Sequence, residues 1–409
     1  MEKDIAALEI RSKSLNLVVG NALDNKVNVV SRIVRPLSVP LQNGMVIDSV
    51  SLSNDIKNIL KIEDKIHNLQ ININEVSLVL PAFGLEVYNS QKSTNTISNT
   101  SKVYRIDISN ALSLVRKEKI PNPNNFIADI IPNYFVIDGD KNFTEPPLGE
   151  TSSSLSIDAN IYTLPIGIVS ELTKAVENAG VDIRRSIIAP IGASQLFSAY
   201  NFNYSTYILV DCGRKNTTLS FVGNNTVYSS VYFTFGVDDL VDRVVNVFNI
   251  LRSDAEQLVN LYGYDERKST LNPAIGHYKY NGESKPIFME DLNKIVAGYF
   301  KDWLDYFKVS YADLMKPYND IANDKKIVFI GEATKTNHFK KYINNFYGDR
   351  AEFPIIPSIG IQDSEFINCA GAILISSIYR GTLEDDIHGK INEVTREEEK
   401  EYKETKDEL

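Results

Sequence analysis

Cysteine, histidine, methionine and tryptophan are scarce in this 409-residue chain, at 2, 4, 4 and 1 residues. The two cysteines, Cys212 and Cys369, make no disulfide framework and stand at no metal-binding spacing, which fits a reducing compartment. Four histidines without an HxxxH or CxxC pattern argue against a zinc site. No apolar run approaches about 18 residues, so no transmembrane helix is expected. The amino terminus carries Glu2 and Asp4 and passes straight into a strand pattern, which is not the pattern of a signal peptide. Positive charge is also in deficit. A net charge of −10 argues against nucleic acid as the partner.

What is present describes a globular protein. Hydrophobic residues at 43% against 23% charged can bury a sizeable core, and the length calls for two or more domains or subdomains. The organising stretch is Tyr207 to Gly236. Apolar, β-branched and aromatic residues fill Tyr207 to Val210, Thr217 to Val222 and Thr226 to Phe235, with two turn-prone clusters between, so three antiparallel strands are expected. Asp211 ends the first strand and is followed by Gly213, Thr217 and Thr218. A carboxylate, a Gly turn and paired hydroxyls are what a magnesium–triphosphate site needs, and they are equally what an ordinary hairpin turn contains.

A second copy strengthens the first reading. Ile5 to Leu37 again reads as three strands, with Glu9 near the end of the first and a polar turn at Arg11 to Ser14. Two such meanders far apart in one chain imply two related halves facing each other across a cleft, with ligand at the strand ends.

Between and after them the pattern alternates. Ser51 to Ser53 offer a cap before Ile56, Ile59, Leu60 and Ile66 at helical spacing, and Val76 to Leu80 is a strand. Residues 82–162 are polar and Ser/Asn-rich, as in an inserted α+β domain. There Gln91 to Lys102 reads as an exposed loop, Ser109 to Lys117 as a helix, and Ala128 to Ile131 and Tyr134 to Asp138 as strands. Leu155 to Leu164 returns as a strand, and Ile166 to Gly180 is a helix stopped by its glycine. Ile187 to Ala189 reads as a strand interrupted by Pro190, with a helix from Ala193 to Tyr200. Helices are expected over Val237 to Phe248 and Ser253 to Leu261, the latter ending at Gly263. Tyr264 to Pro286 reads as irregular. Phe288 to Met315 is a long helix whose aromatic stripe, Tyr299, Phe300, Trp303 and Phe307, follows helical spacing and belongs to the core. Lys326 to Ile330 is a strand ending at Gly331, followed by a helix from Asn337. Ala351 to Ile356 is extended, and Phe366 to Ser377 is an apolar helix. The charged tail from Thr382 reads as disordered, and its final Lys-Asp-Glu-Leu, without a secretory segment, as an accidental match to a retention signal.

In this order the pieces resemble the bacterial cell-division protein family FtsA, of the actin, Hsp70 and sugar-kinase superfamily. The resemblance is carried by Ile127 to Pro165, with Asp138-Gly139 and the turn Pro147-Leu148-Gly149, and by Asn43 to Asp48, Lys174 to Gly180, Ala189 to Ser194 and Asn368 to Leu374. It implies an α/β fold: actin-like, two-lobed, with duplicated meander/helix subdomains and an inserted 1C-type α+β subdomain. The implied boundaries are 1–81 with 166–196 and 366–384 for subdomain 1A, 82–165 for 1C, 197–236 with 325–365 for 2A, 237–324 for 2B, and 385–409 for the tail. It also implies a role: linking filaments of the tubulin-like FtsZ to the inner face of the cell membrane at the division site, through the FtsZ C-terminal tail on 2B, with self-association into filaments. The family's amphipathic membrane helix has no counterpart in this tail, so membrane contact lies in a segment absent here or is made otherwise.

The departures from the family pattern fall on the chemistry. Glu9 and Arg11 replace the Asp and Gly of the first phosphate loop, leaving Ser12 and Lys13 as its nucleotide-side residues. In the second loop Asp211, Gly213, Thr217 and Thr218 remain, while Arg214, Lys215 and Asn216 stand among them. The adenosine-side helix keeps Ala255 and Glu256 but has Val259 where the family has Lys. The base-binding turn reads Gly331, Glu332, Ala333, Thr334. Ala189-Pro190 stands where the family carries its catalytic Glu-Pro, and alanine can neither orient water nor accept a proton. The site implied for ATP and Mg comprises Ser12, Lys13, Asp211 as metal-side carboxylate, Gly213, Thr217, Thr218, Gly236, Glu256, Gly331 and Thr334. No residue is assigned to catalysis, and hydrolysis is expected to be weak or absent. The competing reading is a working actin-type ATPase in which Arg11, Arg214 and Lys215 compensate for the lost glycines.

Overall fold

The computed structural model describes residues 4–42, 44–64, 69–97, 101–202, 204–262, 272–318 and 325–379. Asn43, Ile66, Gly263 and the tail lie outside them, as does the reading of that tail. The chain divides into two compact units, 1–202 with 358–360 and 368–409, and 203–357 with 361–367.

The first unit begins with the expected meander, β1 (Ile5–Ile10), β2 (Ser14–Leu23) and β3 (Lys26–Pro36). Strand β1 is buried along its whole length, as a central strand apolar at every position but Glu9 requires. Helix α1 (Ser49–Ile59) is capped not by Ser51 to Ser53 but by Asp48, whose carboxylate accepts from the N–H groups of Val50 and Ser51. After the hairpin β4 (Lys61–Asp64) and β5 (Leu69–Asn72) comes β6 (Glu75–Leu80), parallel to β1.

Gln91 to Lys102 is not a loop in its first part, and residues 98–100 of it lie outside the described residues. Residues up to Asn95 belong to β7 (Glu86–Asn95), which pairs along β10 (Ser154–Pro165). Its Asn, Gln and Ser residues look like loop composition, yet they are satisfied across the strands: Asn89 and Gln91 donate to Asp158, and Ser93 meets Ser156 at 2.8 Å. Helix α2 (Arg105–Arg116) follows. The two strands expected around Pro132 are one, β8 (Asn125–Ile137), with a register shift where Asp158/Ala159 of β10 pass Tyr134/Pro132. A bulge is where a strand tolerates proline. Strand β9 (Lys141–Phe143) completes a four-stranded sheet of order β7-β10-β8-β9. Helix α3 (Ile166–Asn178) ends before Gly180 at φ +79°. Strand β11 (Asp182–Ile188) runs parallel to β6, giving a five-stranded sheet of order β11-β6-β1-β2-β3. Pro190 does not interrupt the next element. It sits in the first turn of α4 (Ala189–Ala199), where a missing N–H costs nothing.

The second unit opens with β12 (Thr206–Cys212), β13 (Thr217–Gly223) and β14 (Thr226–Phe233). Helix α5 (Val237–Phe248) buries Leu240, Val241, Val244 and Phe248 on one face, and α6 (Arg252–Leu261) follows. The expected irregular stretch contains a hairpin, β15 (Ala274–Tyr280) and β16 (Glu283–Phe288). Its turn is Asn281-Gly282, both at positive φ, a strong short-range hairpin signal. The long helix α7 (Met289–Met315) places Trp303 among Phe233, Phe307, Phe329 and Phe339, confirming that the aromatic stripe is core. Strand β17 (Lys326–Ile330) runs parallel to β12, helix α8 (Asn337–Tyr347) follows, and β18 (Ala351–Glu352) closes a sheet of order β14-β13-β12-β17-β18. Helix α9 (Ile367–Ile378) belongs to the first unit from Asn368 on.

Each unit therefore holds the same five-stranded pattern, an antiparallel meander continued by two parallel strands. Parallel neighbours need crossovers, which the helices supply.

Candidate functional site

In the first unit the β1–β2 turn is tight and strapped. Arg11 N–H donates to Ser14 O at 2.8 Å, and the carbonyls of Lys13 and Ser12 accept from Leu37 and Leu41 N–H at 2.8 and 2.9 Å. Glu9 and Arg11 flank Ile10 on one face of this turn and pair at 2.9 Å, with side chains only 6% and 10% exposed. Asn368, at the start of α9, donates to the same Glu9 oxygen at 2.8 Å. Burial, and then the Glu9 charge, push the thiol of the neighbouring Cys369 well up, although Arg11 opposes this, so the sulfur stays protonated and donates to Asn16 O. Helix α4 packs closely on α9 at Gly192 and Gly371: a Cβ on Gly371 would enter the Gly192 backbone, and one on Gly192 would lie 2.8 Å from Asn368 O. Ala189, at the first position of α4, is buried and brings no polar group.

In the second unit the β12–β13 loop closes with Gly213 N–H on Asn216 O at 2.9 Å. Antiparallel pairing sets Asp211 directly opposite Thr218, and parallel pairing sets it beside Ile330, so Gly331 falls next to it. At φ +91° Gly331 adopts a backbone that favours glycine, and a Cβ there would run into the Asp211 carboxylate and Cys212. Asp211, Thr218 and Gly331 are thus gathered at one end of the sheet. Thr217 is not with them. It faces the core, donating to Phe235 O at 2.9 Å and accepting from the Trp303 indole N–H at 3.2 Å. Alternation along a strand sends neighbouring threonines to opposite faces. Thr334 is buried as well, its hydroxyl donating to Gly331 O at 2.8 Å within the short 3-10 turn Glu332–Lys335.

The charged residues of this loop form a cluster that the sequence pattern did not reveal. Arg214 reaches Asp238 of α5 at 2.7 Å and Glu256 of α6. Arg252 reaches the same Asp238 at 2.9 Å and also pairs with Asp242. Burial works against the charge on both guanidiniums, but Asp238 with Glu256 outweighs it for Arg214, and Asp238 with Asp242 for Arg252. Both remain above the usual arginine value. Glu256, expected on the adenosine side, is here a partner of Arg214. Gly236 precedes α5, and its N–H donates to Asp239 at 2.8 Å. Burial raises the carboxyl of Asp239, with that hydrogen bond and Lys215 opposing.

A phosphate ligand needs free N–H groups and uncommitted cations. Within each unit the loop arginine is paired, Arg11 with Glu9 and Arg214 with Asp238 and Glu256, and the Gly213 N–H is used inside its own turn. Asp238, Arg252 and Asn368, which make these contacts, come from helices whose proximity no local pattern encodes. No group of three or more His, Cys, Asp or Glu that could hold a metal occurs among the described residues.

No protein-family model matches the chain. It is 26% identical over 366 residues to the cell division protein FtsA of Enterococcus hirae, covering 88% of this chain and 80% of that one. It is 23% identical over 393 residues to FtsA of Staphylococcus epidermidis, covering 92% and 80%. The FtsA of Streptococcus pneumoniae matches at 25% over 257 residues, 63% of this chain and 55% of its own length. Among solved structures, a PilM–PilN type IV pilus biogenesis complex superposes with a TM-score of 0.58 at 14% identity, covering 91% of this chain and 98% of that one. MreB5 of Spiroplasma citri bound to ADP does so with 0.52 at 11%, covering 95% and 99%. The chain resembles FtsA in sequence and has an actin-like fold.

Proposed function

We propose that this chain is an FtsA-like cell-division protein, an actin-like adaptor that links FtsZ filaments to the inner membrane face and self-associates, with a degenerate nucleotide site. The likeness to FtsA over most of the chain supports the division role. One observation carries the degenerate site: the arginines placed in both loops are neutralised by carboxylates of their own units, in a chain with alanine at position 189. On this reading 82–165 is the 1C-type subdomain, a separate four-stranded sheet backed by α2, and 237–324, built on α5 to α7, is the 2B surface for the FtsZ tail.

A calorimetric titration with ATP, with and without magnesium, tests the site. The adaptor reading expects no heat at millimolar nucleotide. Magnesium-dependent binding, lost in Asp211→Ala, would replace it with the second reading, an active actin-type ATPase. The gathering of Asp211, Thr218 and Gly331 is the observation that favours this alternative. The division role is tested separately by the anisotropy of a labelled FtsZ C-terminal peptide, and membrane contact by co-flotation with anionic vesicles.

A further inference from the structure

The β12–β13 loop and the first turn of α5 are fastened to one another through both backbone and side chains. Val237 N–H donates to Gly213 O at 3.2 Å and Asp238 N–H to Arg214 O at 2.8 Å, so N–H groups that a helix start ordinarily offers to an anion are spent on the loop's carbonyls. Gly236 makes this approach feasible: a Cβ there would lie 2.5 Å from Arg214 O and 2.6 Å from Gly213 O. The side chains repeat the arrangement. The carboxylate of Asp238, 1% exposed, is met by Arg214 at 2.7 Å, Arg252 at 2.9 Å and Lys215 at 4.0 Å. Asp242 and Glu256 complete the cluster, so three cations face three carboxylates. An incoming oxyanion would find no excess positive charge and would have to expel a buried carboxylate.

We infer that Asp238 is a built-in counter-anion: its carboxylate takes, among Arg214, Arg252 and Lys215, the place of a phosphate-type oxyanion and holds the loop closed on α5 and α6 without a ligand. Asp238 is a positioning residue, acting through the loop it fastens. The inference rests on the degenerate-site reading and adds to it what keeps the loop ordered.

The test compares wild type with Asp238→Asn by hydrogen exchange at the amides of 213–216 and 237–239, with and without millimolar inorganic pyrophosphate. The single tryptophan, Trp303, buried in the same unit, reports by its emission that this unit stays folded. In wild type these amides should exchange slowly and ignore pyrophosphate. In Asp238→Asn they should exchange about tenfold faster, as expected when a charge-assisted contact worth about 1.4 kcal/mol is lost, and pyrophosphate should slow them again. Arg252→Met, which leaves Asp238 and Arg214 in place, should give a smaller increase in the same amides. Unchanged exchange in Asp238→Asn with Trp303 emission intact would overturn the inference, as would wild-type amides that pyrophosphate protects. Should Asp238→Asn unfold, unchanged exchange in Arg252→Met overturns it equally. Failure of the underlying reading shows elsewhere, as heat from MgATP with the wild type.

Discussion

Removing Arg11 distinguishes a guanidinium that holds the protein together from one kept for a ligand. In Arg11→Met the Glu9 carboxylate, 6% exposed, loses its paired guanidinium while Asn368 still donates to it. Breaking a buried pair by removing one partner costs about 3–5 kcal/mol, because the other charge is left without compensation. At about 2–4 °C per kcal/mol for a unit of this size, the lower figure lowers Tm by about 6–12 °C. Adding Glu9→Gln removes the stranded charge while keeping an oxygen for the Asn368 amide, so the double variant should recover to within about 1–2 kcal/mol of wild type. Scanning calorimetry of wild type, both single variants and the double closes the cycle. A surface arginine reserved for phosphate would cost within about 0.5 kcal/mol. A loss of that size in Arg11→Met, with no recovery from Glu9→Gln, would refute the pairing and reopen the ATPase reading.

Three further outcomes follow from the geometry. Burial alone would raise Asp158, but hydrogen bonds from Asn133, Gln91, Asn89 and Tyr134 outweigh it and hold the carboxyl below its usual value. Its contribution is therefore present above the ordinary carboxylate range and lost as pH falls through the lowered native value. The stability gap between wild type and Asp158→Asn should be widest near neutral pH and vanish in acid, and a gap that widens in acid would contradict the network. Gly371→Ala drives a Cβ into the backbone of Gly192, so α4 and α9 must separate, at a cost of about 1–3 kcal/mol in denaturant titration. Trp303→Phe keeps most of the aromatic packing but removes the donor to the buried Thr217 hydroxyl, and should cost about 1 kcal/mol in the same measurement.

The strands of both meanders were legible because they are rich in apolar, β-branched and aromatic residues and their turns carry Asn, Asp and Gly, as β12 to β14 show at nearly every boundary. The errors have local explanations. Strand β7 is polar because its side chains are satisfied across the sheet by Asp158 and Ser156, and composition cannot show a partner more than sixty residues away. The hairpin β15–β16 carried its signal in Asn281-Gly282, beside strands that are mostly exposed and so show weak alternation. Pro190 read as a break because a proline at a helix start and one that ends a strand look alike in sequence. At the candidate site, adjacency of Asp211 to Gly331 followed from strand order, while the inward turn of Thr217 was available from the period of two alone.

The sequence by itself determined the duplicated strand–turn–strand pattern, the aromatic core of α7 and the substitutions in both loops, because periodicity and residue identity are local properties. Only the tertiary structure decided what the new arginines do. Arg214 meets Asp238 and Glu256, 24 and 42 residues further along the chain, and Glu9 meets Asn368, 359 residues away. Whether a cation is free for a ligand or bound to a carboxylate depends on distances of a few ångströms, and folding, not sequence spacing, sets them.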